Sequence, residues 1–175
     1  MRGLDAAFKG FEKQIRDVGR KRLQRWCQDL VRQAVTMRLG DPKAHNFTGN
    51  LLNSIVVCLY EDGKPVKAWF ASDDGRVQSA NMPKMTKGRY YFAQGDFEGA
   101  KSFYNASMGT DKGWGIEDAK NFFANFVPDG KNMFDVVVAY PVEYADWVQI
   151  QRNTTGYLET LGYAKKTAVR FMQIK

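Results

Sequence analysis

The sequence predicts an α+β fold: a small, mainly antiparallel sheet packed by a long N-terminal helix and a C-terminal helix, with a large, partly irregular insertion. Three observations predict it. An amphipathic pattern free of proline runs over residues 5–39. An Asp-Gly pair at 62–63 joins two apolar, β-prone runs. A third run, Val136-Val137-Val138-Ala139, is apolar on both sides, as in a strand covered on both faces.

The N-terminal helix is marked by Phe8, Phe11, Ile15 and Val18, spaced i, i+3, i+7, i+10. Leu23, Trp26, Leu30, Ala34 and Met37 continue the stripe after a phase slip near Gly19, which marks a bend or the junction of two helices. Gly40-Asp41-Pro42 ends it, with Gly at the C-cap and Pro beyond. Such a helix is roughly 50 Å long. A compact domain of 175 residues does not cover that length, so part of the helix is expected to project or to meet another molecule.

Thr48 is an N-cap for a single turn through Leu51 and Leu52. The hairpin follows, Ile55–Tyr60 and Val66–Ala71, with Asp62-Gly63 supplying the positive φ angles of a tight turn. Pro141 stops the third strand, and Tyr144, Trp147 and Val148 then predict a short aromatic helix. The last helix is predicted over Tyr157–Met172, with Leu158, Leu161, Ala164, Ala168 and Phe171 on one side. Residues 1–71 and 134–175 thus read as the core.

Residues 72–133 read as an insertion rich in glycine and aromatics. Tyr90, Tyr91, Phe92, Phe103, Tyr104 and Trp114 are its candidate interface residues, and Ile116–Phe126 its expected helix. This aromatic content argues against plain disorder and for packing on neighbours in an assembly. Aromatics interleaved with lysine and arginine also suit stacking on bases.

Net charge is +7, and it is one-sided. Residues 1–43 hold eleven Lys and Arg against five Asp and Glu, while 72–133 balance at eight against eight. Arg16, Arg20, Lys21, Arg22, Arg25 and Arg32 form the basic cluster. It is either the solvated face of an amphipathic helix or a contact for DNA phosphate or an acidic subunit.

No apolar run is long enough to span a membrane, and the N-terminal residues lack a secretory apolar region. Cys27 and Cys58 read as reduced, buried small hydrophobes. Chemistry is hard to find. The single histidine, His45, has no second ligand at zinc spacing and no nucleophile motif around it. The carboxylate pairs Glu143/Asp146 and Glu117/Asp118 stand in no glycosidase or nuclease context. An enzyme would need Glu98, Asp111, Glu117 or Asp118 to gather in space. Residues 109–113 lack the ending of a phosphate loop. No enzyme, metal or cofactor is expected.

Two stretches carry a resemblance. Phe47-Thr48-Gly49-Asn50-Leu51-Leu52-Asn53-Ser54-Ile55, after a basic amphipathic helix, resembles the T-G-x-L-x-x-S-I signature of the neck and tail-completion proteins of tailed bacteriophages. Thr48, Gly49, Leu52, Ser54 and Ile55 carry that match. Val137–Val148, with Tyr144 and Trp147, resembles the family's strand, tyrosine-alanine and aromatic-helix block. The family's glycine-threonine pair is displaced here, since Gln149-Ile150-Gln151-Arg152 intervenes before Thr155-Gly156. Residues 10–71 and 134–172 are covered, with 72–133 as an addition.

The resemblance implies a non-catalytic virion protein, made in the host cytoplasm. Copies would form a hexameric or dodecameric ring at the head–tail junction, between portal or adaptor and tail proteins, with DNA in the lumen. The alternative from the residues alone is a basic DNA-binding module.

Overall fold

The structure is a computed structural model; it describes residues 2–41, 50–80, 113–142, 145 and 157–172. The elements in chain order are α1 (Arg2–Gly40), α2 (Asn50–Asn53), β1 (Val56–Glu61), β2 (Lys64–Phe70), a 3-10 turn (Ala71–Asp73), α3 (Gly75–Ala80), α4 (Gly113–Asn125), β3 (Phe134–Ala139) and α5 (Tyr157–Met172). The fold is α+β, as the sequence predicts. Three antiparallel strands lie in the order β2-β1-β3.

The hairpin turns on Asp62 and Gly63, at φ 49° and 74°. Two successive positive φ values fit the twist of the flanking strands, and Asp-Gly tolerates them best. The Asp62 amide donates to the Met133 carbonyl at 3.0 Å, which ties the turn to the start of β3.

Both faces of the sheet are covered. Val57 and Leu59 of β1, with Val136 and Val138 of β3, face Leu23, Cys27, Leu30, Ala34 and Val35 of α1. Val56, Cys58 and Tyr60 face the other way, with Val137 and Ala139, toward Ala119, Phe122 and Phe123 of α4. A bulge opposite Leu59 and Tyr60 shifts the register of β2. It explains why Val66 joins the α1 side while Ala68 and Phe70 join the α4 side.

Helix α4 starts three residues earlier than the sequence suggests and packs on the domain itself. Gly115 permits this, because its amide donates to Asn50 Oδ1 at 3.2 Å and a Cβ at this position would collide with the backbone of Asn50 in α2. Phe122 stacks on Phe126, with centroids 4.9 Å apart, and Phe123 and Phe126 flank the Tyr60 ring. So Phe122 and Phe123, expected within the insertion, pack against β1 of their own chain.

Helix α1 is a single helix through Gly19, neither broken nor two helices. Helix α5 runs antiparallel along its second half. Tyr163 donates to Asp29 Oδ2 at 2.7 Å, Trp26 Nε1 to Thr167 at 3.0 Å and Arg22 to the Met172 carbonyl at 3.3 Å. Tyr140, closing β3, hydrogen-bonds Thr160 of α5 at 3.0 Å. Leu158 departs from the expected apolar side of α5 and faces solvent.

Candidate functional site

The candidate site is the first half of α1. Its geometry follows from helical periodicity. Taking about 100° per residue, the residues that pack on the sheet, from Leu23 to Val35, cluster around one direction. Phe8, Phe11, Ile15 and Val18 point roughly 140° away from it. The slip near Gly19 therefore turns the apolar stripe off the core, and with the helix unbroken the stripe faces outward. These four side chains are 65%, 62%, 49% and 49% exposed. Gly19 sits where α1 crosses β3, and a Cβ there would lie 3.3 Å from the Phe134 ring.

The side of this half-helix that faces the domain is charged instead. Arg16 donates to Asp62 at 2.7 Å, to Glu12 at 3.1 Å and to Glu61 at 3.5 Å. Arg20 donates to Glu61 Oε2 through Nε at 2.8 Å and to Asp17 at 3.1 Å. Glu61, half-buried at the end of β1, thus anchors both guanidiniums. These contacts clamp α1 to the hairpin turn and leave its opposite side bare.

The six candidate cations do not form one face. Arg16 and Arg20 are engaged with the hairpin. Arg22 reaches the C-terminal end of α5. Lys21, Arg25 and Arg32 point outward, are exposed and make no ion pair with a described residue. Sequence reading missed a neighbour of this outer row. Arg76 of α3 donates to the Arg32 carbonyl at 3.4 Å and to Thr36 at 2.9 Å, and pairs with Asp74 at 2.7 Å. That pairing holds the Asp74 carboxyl below its usual range. No local pattern announces it, since the contact spans 44 residues.

Of the resemblance residues, Leu52 and Ile55 are buried in the core. Thr48, Gly49, Tyr144 and Trp147 lie outside the described residues, as do Tyr90, Tyr91, Phe92, Phe103 and Tyr104. Trp114 is in the first turn of α4, its side chain outside the described part.

Burial pushes the Cys27 and Cys58 thiols up to about 12, so both are protonated near neutrality. Burial also raises the Tyr60 hydroxyl, which has no hydrogen-bond partner. The Cys58 thiol interacts with it, but outside hydrogen-bond geometry, and a thiol is a weak partner. Glu117 and Asp118 are neighbours on α4; burial, then Glu117, raises the Asp118 carboxyl. Glu98 and Asp111 lie outside the described residues. Among the described residues no group of three or more His, Cys, Asp or Glu is placed to hold a metal ion, and no helix is long and apolar enough to cross a membrane.

No protein-family model, curated protein or solved structure matches this chain.

Proposed function

We propose that this chain is a structural virion protein of a tailed bacteriophage, which forms a hexameric or dodecameric ring at the head–tail junction around the DNA channel. The observation that carries the reading is the outward apolar stripe Phe8, Phe11, Ile15 and Val18 on a helix clamped in place by Glu61 and Asp62. Four large apolar side chains left in water along one line of a helix mark a surface for a protein partner. The residues Thr48–Ile55 and Val137–Val148 add the resemblance to neck and tail-completion proteins. In this reading the chain has no catalytic role and needs no cofactor. Its partners are further copies of itself, portal or adaptor proteins and tail proteins. Native mass measured with negative-stain images tests it. Rings support the reading; a chain that forms no ring, alone or with portal or tail partners, removes it.

A second reading is a basic DNA-binding module, favoured by the outward row Lys21, Arg25 and Arg32. Phosphate contacts make affinity fall with salt. Replacing those three residues by alanine is then expected to flatten the salt dependence, while Arg16→Ala and Arg20→Ala leave it largely unchanged. Absence of DNA binding at low salt removes this reading.

A further inference from the structure

We infer that the ring contact is made by the bare stripe of α1 in one copy lying along the outer face of α5 in the next copy. This rests on the ring reading and specifies its interface.

The spacing of the stripe identifies the kind of partner. Phe8, Phe11, Ile15 and Val18 recur at intervals of three, four and three, the a and d positions of a heptad. That pattern suits another helix, packed at a shallow angle.

The intramolecular contacts show where that helix lies. Arg22, Trp26 and Asp29, which touch α5, point in the same direction from α1 as Phe8, Phe11, Ile15 and Val18, within about 20° on average. One line along α1 is therefore covered by the chain's own α5 from Asp29 to Arg22 and bare from Val18 to Phe8. A helix that covers the rest continues the α1–α5 interface lengthwise.

A second copy supplies such a helix with a matching face. The side of α5 turned away from its own α1 exposes Leu158, Val169 and Met172. From Leu158 to Met172 is about 21 Å, and from Phe8 to Val18 about 15 Å, so the two stripes overlap in length. Charge permits the pairing. Lys165 is exposed between Leu158 and Val169, and the residues flanking the α1 stripe are Ala7, Glu12 and Gln14. Lys9 and Lys13 lie on the far side of α1.

The contact joins two different patches, so it is head-to-tail, the kind of contact that closes into a ring when the rotation between successive copies closes on itself. Each α5 is then held between the second half of its own α1 and the first half of the neighbour's.

Cysteine pairs test this on the full chain. Cys27 and Cys58 are fully buried and do not compete. Ile15→Cys with Val169→Cys is expected to give, on oxidation, a ladder of dimer, trimer and higher species. Each single variant is expected to stay uncrosslinked. Both positions are exposed, so an unchanged melting temperature verifies the fold. Dimer formation by Ile15→Cys alone overturns the inference in favour of two α1 helices pairing with each other. Rings seen in images of a double variant that does not crosslink overturn the inference and leave the ring reading standing. Monomers at every concentration, with and without partners, overturn both.

Discussion

A methyl group at Gly115 would collide with the backbone of Asn50, 2.7 Å from its carbonyl carbon and 2.8 Å from its Cα. Backbone cannot yield as a flexible side chain does. Gly115→Ala is therefore expected to lift α4 from α2 and destabilise the fold by about 1–3 kcal/mol, the usual cost of overpacking; denaturant unfolding measures it. Tyr60 gives the opposite prediction. Its hydroxyl is buried without a hydrogen bond, so Tyr60→Phe removes a desolvated polar group and keeps the ring against Phe123 and Phe126. The melting temperature is expected to hold or rise, and a fall would show that the hydroxyl has a partner. The thiols set a pH dependence. Folding raises Cys27 and Cys58 to about 12, above the ordinary value near 9.0. Above that ordinary value the unfolded chain has released thiol protons that the folded chain retains. Stability from this source is complete below about pH 8.5 and declines as pH rises toward 12. Thiol-reagent labelling at pH 8 is accordingly expected to be slow in water and fast in denaturant.

At the scale of elements, α1 shows what a sequence carries and what it withholds. The stripe, the slip near Gly19 and the Gly40 stop are all local patterns, and so are Asp62-Gly63 and the doubly apolar β3. The meaning of the slip was not local. Only a break that rotates the chain would return Phe8 and Phe11 to the core; a continuous helix turns them outward. The placement of this half-helix is fixed at long range, by Glu61 and Asp62 holding Arg16 and Arg20 across more than 40 residues of chain. The basic cluster was legible as composition, but its division into clamped and outward cations depends on the same contacts. The docking of α4 was illegible for a related reason. The pattern of Phe122, Phe123 and Phe126 identifies an apolar face without saying whether it meets its own sheet or a neighbour. The clamp itself is testable. Glu61→Gln removes the charge that both guanidiniums share, and hydrogen exchange over residues 10–20 is expected to quicken about fivefold to tenfold, equivalent to roughly 1 kcal/mol. Exchange in α5 is expected to stay unchanged.

At the scale of the molecule, the outward stripe is the feature from which we propose a domain completed by neighbours. Fully burying a large apolar side chain is worth about 1.5–3 kcal/mol, and these four are already about half covered, so covering the rest gains roughly half of that each. Association of two bodies costs about 4–15 kcal/mol. One such contact is therefore weak or marginal. In a closed ring every copy makes the contact twice, once through α1 and once through α5, and closure needs no further loss of freedom. Assembly is accordingly expected to be concentration-dependent and cooperative, with few intermediates between monomer and ring. Phe11→Asp, on the bare stripe, is expected to abolish assembly while moving the melting temperature of the monomer little.

Native mass with negative-stain images of the same sample is the deciding test of ring assembly. Closed rings of six or twelve copies are expected, with Phe11→Asp reducing them to monomers. A protein that stays monomeric at every concentration, alone and mixed with portal or tail proteins, contradicts it.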